Sequence, residues 1–149
     1  MILFLDIEAS GIHFGSYPIE IGWVDDTGTG ESHLIRPART WTFWSDTSEA
    51  THGISRQMLE REGRDHAWVA RRITEVLGKA DAVYTDAPEW DQAWLDGLTA
   101  VVGLPPACQL ADFAEAEERR PRPCHRALED ARGLWWRWRR IQEEASRHA

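Results

Sequence analysis

The feature that most constrains the fold is an apolar N-terminal segment, Met1–Gly11, which contains two acidic residues one position apart. Residues two positions apart in a β-strand point to the same side. Asp6 and Glu8 should therefore share one face, while Leu3, Leu5 and Ile7 fill the other. A strand this hydrophobic is normally central and covered on both faces. Burying two carboxylates there costs roughly several kcal/mol per ion, so we expect a compensating cation, and a pair of divalent ions is the most economical one.

The composition is that of one soluble domain, 1–149, in which 42% of residues are apolar and 28% are charged. No apolar run approaches the ~20 residues of a membrane span. The first residues lack the basic region of a signal peptide. Cys108 and Cys124 are too few for a disulfide framework, so we expect a reducing, cytoplasmic location.

The net charge of −8 argues against a protein that coats long nucleic acid by charge alone. It does not exclude a nuclease, because acids at a metal site contribute to that charge. Trp41, Phe43 and Trp44 lie in a polar stretch. They could stack nucleic-acid bases, form a hydrophobic lid or make a homodimer contact.

The order of predicted elements is that of a mixed α/β protein. Residues 19–24 alternate as a second strand antiparallel to the first, and 31–36 form a third, which completes a three-strand meander. Residues 38–50 are predicted to be a loop. Two further strands are predicted at 81–85 and 108–110. The result is a mixed five-stranded sheet flanked by helices.

Four helices are predicted from their caps and apolar stripes. Ser55 and Asp65 are candidate N-caps of the first two helices, and Pro88 marks the start of the third. A long helix follows Pro123 and carries an apolar stripe from Leu128 onwards.

Two of these helices carry acids near their apolar stripes. Asp91 lies at helical spacing from Trp94 and Leu98. It could also be an ordinary first-turn acid that the helix dipole stabilises. Asp130 is similarly close to the buried side of the last helix, and His125 precedes it by five residues. Taken singly, each of these residues has an ordinary structural explanation.

Together the acids predict a metal site. Asp6, Glu8, Asp91 and Asp130 offer hard oxygen ligands, which suit two Mg²⁺ or Mn²⁺ ions. Such ion pairs serve in-line phosphoryl displacement. Histidine titrates near neutrality, so His125 is the candidate general base for the attacking water.

Several segments match the motifs of a known family. FLDIEASGI from Phe4 to Ile12, WDQAWL from Trp90 to Leu95, and HRALED from His125 to Asp130 match its three motifs in order. THGIS at 51–55 matches a further common segment. The chain therefore resembles the DEDDh (DnaQ-like) 3′–5′ exonucleases, such as ribonuclease T, oligoribonuclease and the proofreading subunit of DNA polymerase III.

The resemblance implies a ribonuclease-H-like fold and an enzyme that releases nucleoside 5′-monophosphates from single-stranded RNA or DNA. It assigns the four acids above as metal ligands and His125 as the base. It also implies substrate contacts, in which Ile12 wedges against the terminal base and the backbone at 9–11 approaches the nucleotide. The implied contacts are Ala9, Ser10, Gly11, Ile12, His52 and Trp90. For His52, a local turn hydrogen bond is an equal alternative.

The sequence departs from the family pattern at three places. Ala9–Gly11 stands where a Thr-Gly is usual, and Asp86 precedes Asp91 by five positions with Pro88 between them. Asp86 is therefore a fallback ligand for Asp91. His125 follows Asp91 by only 34 positions, which favours short or frayed 3′ ends over a long substrate groove.

Three other interpretations bear on function. The arginines near the last motif could guide a phosphate backbone, although a solvated charge run is the commoner explanation; they are Arg119, Arg120, Arg122 and Arg126. A Cys124 thiol nucleophile is rejected, because it would leave the four acids unexplained. A non-catalytic nucleic-acid-end binder on the same fold is the alternative function, and the loss of a ligand or of the base would favour it.

Overall fold

The first strand lies inside a mixed sheet, as its hydrophobicity predicts. The structure is a computed structural model that describes residues 1–113 and 124–148. Within these residues the sheet has six strands in the order β4-β3-β2-β1-β5-β6. β1 is antiparallel to β2 and parallel to β5, and β2 is antiparallel to β3. The strands are β1 (Ile2–Ala9), β2 (Pro18–Asp25), β3 (Gly30–Arg36), β4 (Arg64–Asp65), β5 (Ala82–Thr85) and β6 (Ala111–Asp112).

Five helices connect or cover these strands in the described residues, and three begin where the sequence predicts. Ser55 accepts a hydrogen bond from the Met58 amide, Asp65 accepts from two amides of the first turn, and Pro88 occupies the first turn of its helix. The helices are α1 (Asp46–His52), α2 (Arg56–Glu62), α3 (His66–Leu77), α4 (Pro88–Ala100) and α5 (Ala127–Arg147).

The alternation of β1 divides the core between the two faces of the sheet. Leu3, Leu5 and Ile7 are buried on the face covered by α3 and α4. Phe4 belongs to the cluster that α5 covers with Ala131, Leu134 and Trp135. Because Asp6 and Glu8 follow Phe4 at intervals of two, they lie on the α5 face. This placement brings both acids to the beginning of α5.

The structure corrects the element order in three places. Residues 46–52 form α1, which begins inside the predicted loop 38–50 and ends two residues beyond it. Ser45 caps this helix, which is polar and has no apolar stripe. The sheet has a sixth strand, β4, which pairs with β3 over two residues only. The last strand is at 111–112 and not at 108–110, because its short parallel pairing with β5 fixes its position.

The aromatic residues of the 38–50 segment pack within the chain. Trp41 stacks on Tyr17 with ring centroids 5.3 Å apart, and Phe43 stacks on His13 at 4.6 Å. The Trp44 indole donates a hydrogen bond to Glu49 at 2.7 Å. All three contact the cluster formed by Tyr17 and its neighbours, so intrachain packing accounts for much of their aromatic surface.

None of the helices in the described part of the chain combines the length and hydrophobicity that a bilayer span requires. Arg119, Arg120 and Arg122 lie outside the described residues.

Candidate active site

The absence of a side chain at Gly22 lets α5 approach Asp6. β1 pairs with β2 so that Asp6 faces Gly22 and Glu8 faces Glu20. A Cβ atom on Gly22 would lie 2.5 Å from the Leu128 amide nitrogen and 2.6 Å from the Ala127 carbonyl carbon. Only glycine therefore allows the first turn of α5 to pass this close to the sheet.

Asp130 shapes the turn that precedes α5. One of its carboxylate oxygens accepts from the Cys124 amide at 2.9 Å, and the other accepts from the His125 amide at 2.8 Å. His125 adopts a left-handed backbone conformation with φ 59°, which is uncommon for a residue other than glycine. The carboxylate thus holds the imidazole-bearing residue at the site.

Glu20 holds the same turn from the sheet, a role that the sequence analysis missed. Its buried carboxylate accepts from the Arg126 guanidinium at 2.8 Å and 3.0 Å and from the Ala127 amide at 3.1 Å. Arg126 is therefore paired within the protein, and it is not simply a member of a solvated charge run. A glutamate at a buried position of an apolar strand was the available signal.

Asp91 enters the site from the first turn of α4. It is 1% exposed, and the Thr85 hydroxyl at the end of β5 donates a hydrogen bond to its carboxylate. Asp86 also lines the site and is half-buried. Asp86 and Asp91, which the sequence analysis considered as alternative ligands, therefore both lie at the site.

These elements enclose a cavity of about 720 Å³. Ten of the eleven residues that the sequence analysis assigned to the site line its wall: Asp6, Glu8, Ala9, Gly11, Ile12, His52, Trp90, Asp91, His125 and Asp130. Ser10 is fully buried and does not line the cavity; its hydroxyl accepts from the Tyr17 amide at 3.1 Å.

Burial and repulsion between carboxylates raise the pKa values of Asp6, Glu8 and Asp91. Desolvation, followed by repulsion from Asp91 and Glu8, raises the pKa of Asp6 well above its usual value. Desolvation and then Asp130 raise the pKa of Glu8 to about 8. Desolvation raises the pKa of Asp91 to about 7, although the Thr85 hydrogen bond opposes this shift. Without a cation, the site therefore favours protonated acids at neutral pH.

The arrangement fits a divalent cation. Oδ2 of Asp6 is buried and has no hydrogen-bond partner among the described residues. Ligand atoms of Glu8, His125 and Asp130 all lie within 4.8 Å of one another. A buried carboxyl oxygen without a partner, beside other carboxyl groups, is an environment in which a cation would stabilise the ionised form. His125 belongs to this cluster, so its position suits either a metal ligand or the predicted base.

His52 makes the local turn hydrogen bond that was one of its two predicted roles, and it also lies at the cavity. Its Nδ1 accepts from the Ile54 amide at 3.0 Å, which is the turn hydrogen bond. Burial is the main cause that lowers the pKa of His52, so the ring is neutral with its proton on Nε2. Nε2 makes no hydrogen bond of normal geometry within the described residues, although the ring also interacts with the Ala9 backbone, and His52 lines the cavity. A donor is therefore available for a ligand.

Trp90 and Ile12 supply the exposed apolar surface of the cavity. Trp90 is 37% exposed and stacks on Trp94 at 5.5 Å, while Ile12 is 73% exposed. A side chain on Gly11 would clash with Phe43, because its Cβ would lie 2.5 Å from that ring. These apolar surfaces are suited to a nucleobase.

The cavity includes two groups of residues that the sequence analysis did not assign. Thr47, Ser48 and Thr51 come from α1, most of which was predicted as a loop. Gly133 and Arg137 come from α5, beyond the third motif. The cap at Ser45, followed by Asp46 and Glu49, was the signal for α1.

Comparison with known proteins identifies structures with a similar fold. No family model matches the chain, and no curated protein is significantly similar to it in sequence. Escherichia coli exonuclease I in complex with a dT13 oligonucleotide has a TM-score of 0.61 at 18% identity, covering 70% of this chain and 24% of that chain. The zinc-bound E. coli exonuclease I–ssDNA complex has a TM-score of 0.78 at 14% identity, covering 98% and 41%.

A product-bound structure of exonuclease I is also similar, with a TM-score of 0.65 at 17% identity. It covers 75% of this chain and 29% of that chain. The present chain thus spans between a quarter and two fifths of these proteins. The comparison shows a ribonuclease-H-like α/β fold, in agreement with the sequence.

Proposed function

We propose that this chain is a divalent-metal-dependent 3′–5′ exonuclease of the DEDDh type, which releases nucleoside 5′-monophosphates from single-stranded nucleic acid. The observation that carries the proposal is the convergence of four acids and His125 on one cavity, where Asp6 Oδ2 is buried without a partner. The fold similarity to exonuclease I, solved with single-stranded DNA, supports a DNA substrate first and RNA second.

Asp6, Glu8, Asp91 and Asp130 would hold two Mg²⁺ or Mn²⁺ ions. When bound, such ions lower the pKa of water and neutralise charge on phosphate oxygens. His125 accepts the proton of the attacking water. Hydroxide oxygen bonds to phosphorus as the bond from phosphorus to the leaving 3′ oxygen breaks, and the leaving oxygen takes up a proton from solvent.

The rest of the cavity would position the 3′-terminal nucleotide. Ile12 and Trp90 offer apolar surface to the base, and the backbone at Ala9 and Gly11 borders the sugar. The Nε2–H group of His52 donates to an oxygen of the nucleotide. Each of these contacts uses a residue on the cavity wall.

The test is a cleavage assay on 5′-labelled single-stranded DNA and RNA with Mn²⁺ or Mg²⁺. We expect a ladder that shortens from the 3′ end, disappears with EDTA and is absent for Asp6→Asn and His125→Asn. Glu60→Gln, an exposed change on α2, is the matched control and retains activity. Circular single-stranded DNA should resist cleavage. Cleavage of the circle, or equal activity of Asp6→Asn, would overturn the proposal.

A non-catalytic end-binding role is the second candidate, because both oxygens of Asp130 already accept backbone hydrogen bonds. Binding of single-stranded oligomers without cleavage, for folded protein in the presence of Mn²⁺, would favour that role. An Asp86→Asn variant tests the alternative to Asp91: loss of activity in Asp86→Asn, with Asp91→Asn still active, would assign Asp86 as the ligand.

A further inference from the structure

A second cavity, of about 460 Å³, lies along α5 and continues from the first. Gly133 and Arg137 line both cavities. The remaining wall of the second cavity is formed by Trp136, Arg139, Arg140 and Glu143. We refer to this second cavity as the α5 groove. Its continuity with the first cavity means that a ligand too long for the active site has a surface on which to continue.

The α5 groove is positively charged in an acidic chain. Three arginines and one glutamate line the groove, whereas the whole chain has a net charge of −8. Arg139 pairs with Glu143 at 3.1 Å, and Arg137 lies over the Phe113 ring at 5.1 Å. A local excess of arginine beside an acidic active site favours a polyanionic ligand.

Trp136 gives the α5 groove an aromatic surface in a fixed position. It is 62% exposed, and its ring packs edge-to-face against Trp135 at 4.5 Å. Trp135 is itself buried and donates a hydrogen bond to the Asp26 carbonyl at 3.3 Å. The buried ring therefore orients the exposed one. Exposed aromatics among arginines are the features with which proteins bind single strands by base stacking.

Gly133 lines both cavities and places no side chain between them. A Cβ atom there would contact nothing within 4 Å, so packing does not require glycine. Glycine inside a helix costs about 1 kcal/mol relative to alanine. From Asp130 to Arg140 the helix advances ten residues, about 15 Å at ~1.5 Å per residue. This length exceeds what one nucleotide occupies at the active site.

From the continuity, charge and aromatic surface we infer that the α5 groove binds the part of a single-stranded nucleic acid that lies 5′ of the scissile bond, with a base on Trp136. The inference rests on the proposed function, and it extends the substrate beyond the short ends that the sequence favoured. Arg140 and Arg137 contact backbone phosphates along the groove.

The test compares two double variants that remove the same residue types. Trp136→Ala/Arg140→Gln alters the α5 groove, and Trp68→Ala/Arg71→Gln removes an exposed tryptophan and arginine from α3. Binding of a fluorescent thymidine oligomer of about twelve nucleotides is measured by anisotropy in EDTA. Hydrolysis of the same oligomer and of a thymidine dinucleotide is measured with Mn²⁺.

We expect the α5 variant to bind the oligomer about tenfold more weakly than wild type. The ratio of its kcat/KM for the oligomer to its kcat/KM for the dinucleotide should also fall about tenfold. The slope of log affinity against log salt should fall by about 0.7 for the one arginine. The α3 variant should match wild type.

Gly133→Leu should unfold at a higher temperature than wild type and still bind the oligomer more weakly.

Other results separate the two proposals. Oligomer binding by the α5 variant equal to that of wild type, with cleavage intact, overturns the α5 groove and leaves the exonuclease proposal standing. Loss of oligomer binding in the α5 variant, without hydrolysis by the wild type, overturns the exonuclease and keeps the groove. A monomer–dimer change on size-exclusion chromatography in the α5 variant would assign the surface to a second copy and overturn the groove.

Discussion

Asp6 is expected to be required for activity and at the same time to lower the stability of the metal-free protein. Its buried Oδ2 has no partner in the described residues, and neighbouring acids repel it. We expect Asp6→Asn to raise the free energy of unfolding of the metal-free protein by about 1–3 kcal/mol, because an amide can donate to the adjacent carboxylates. Thermal unfolding at pH 8 in EDTA measures this. Unchanged or lower stability would show that the carboxylate is already satisfied.

His125 is placed so that one substitution distinguishes a base from a ligand. We expect His125→Asn to reduce kcat about 10²- to 10⁴-fold, because a general base is lost. The rise in Tm that Mn²⁺ causes in this variant should equal the rise that it causes in the wild-type protein. If that rise also disappears, the imidazole is a metal ligand, as its proximity to Glu8 and Asp130 permits.

At the scale of elements, the junction between β2 and the start of α5 determines the geometry of the site. Gly22→Ala places a Cβ atom against the Leu128 and Ala127 backbone. We expect a loss of about 1–3 kcal/mol in the free energy of unfolding and a lower kcat, because Asp130 and His125 are displaced from β1.

Gly97→Ala is the matched control for that prediction. Gly97 lies within α4, where a Cβ atom would contact nothing within 4 Å. The same substitution there should stabilise the protein by about 1 kcal/mol through helix propensity. Equal effects on kcat at the two glycines would contradict the role of the junction.

Strong local signals made much of the element structure predictable. The alternation in β1, the caps at Ser55 and Asp65, and Pro88 all correspond to observed features. Local sequence signals were weak in elements whose structure depends on pairing with another part of the chain. β4 and β6 are two-residue strands defined by pairing with β3 and β5, and α1 lacks an apolar stripe.

The same division applies to the candidate site. The spacing of Asp6 and Glu8 places them on one face from local geometry alone. The contact of Glu20 with Arg126 joins residues 106 positions apart, and the approach of α5 to Gly22 depends on a missing side chain. Neither of these two long-range contacts produces a periodic pattern that can be recognised in a single sequence. The α5 groove likewise depends on which face of α5 remains exposed.

At the scale of the whole molecule, the buried acids link stability to pH. The pKa of Glu8 is raised from 4.5 to about 8, and that of Asp91 from 3.8 to about 7. The folded protein therefore retains protons that the unfolded chain has lost, and its stability falls as pH rises through these values. This fall in stability is best measured above pH 6.5, the ordinary pKa of histidine. The lowered pKa of His52 changes the stability in the opposite direction, but only below that pH.

We expect the Tm of the metal-free protein to fall between pH 6.5 and 8, and the fall to be smaller in Glu8→Gln. Mn²⁺ should raise Tm more at pH 8 than at pH 6.5, because ligands must be deprotonated. Scanning calorimetry with EDTA and with Mn²⁺ measures both effects. A Tm that rises with pH in EDTA would contradict the assigned shifts.

The central claim is that the carboxylates of β1, α4 and α5 form one cation site, and a calorimetric titration with Mn²⁺ at pH 7 tests it most directly. Repeating the titration in two buffers of different ionisation enthalpy gives the number of protons released. We predict binding with net proton release, because the pKa of Glu8 is raised to about 8 and that of Asp6 is raised well above its usual value in the metal-free protein. The affinity should be at least about tenfold weaker in Asp6→Asn. Absence of binding, or equal affinity in the two proteins, would contradict the account.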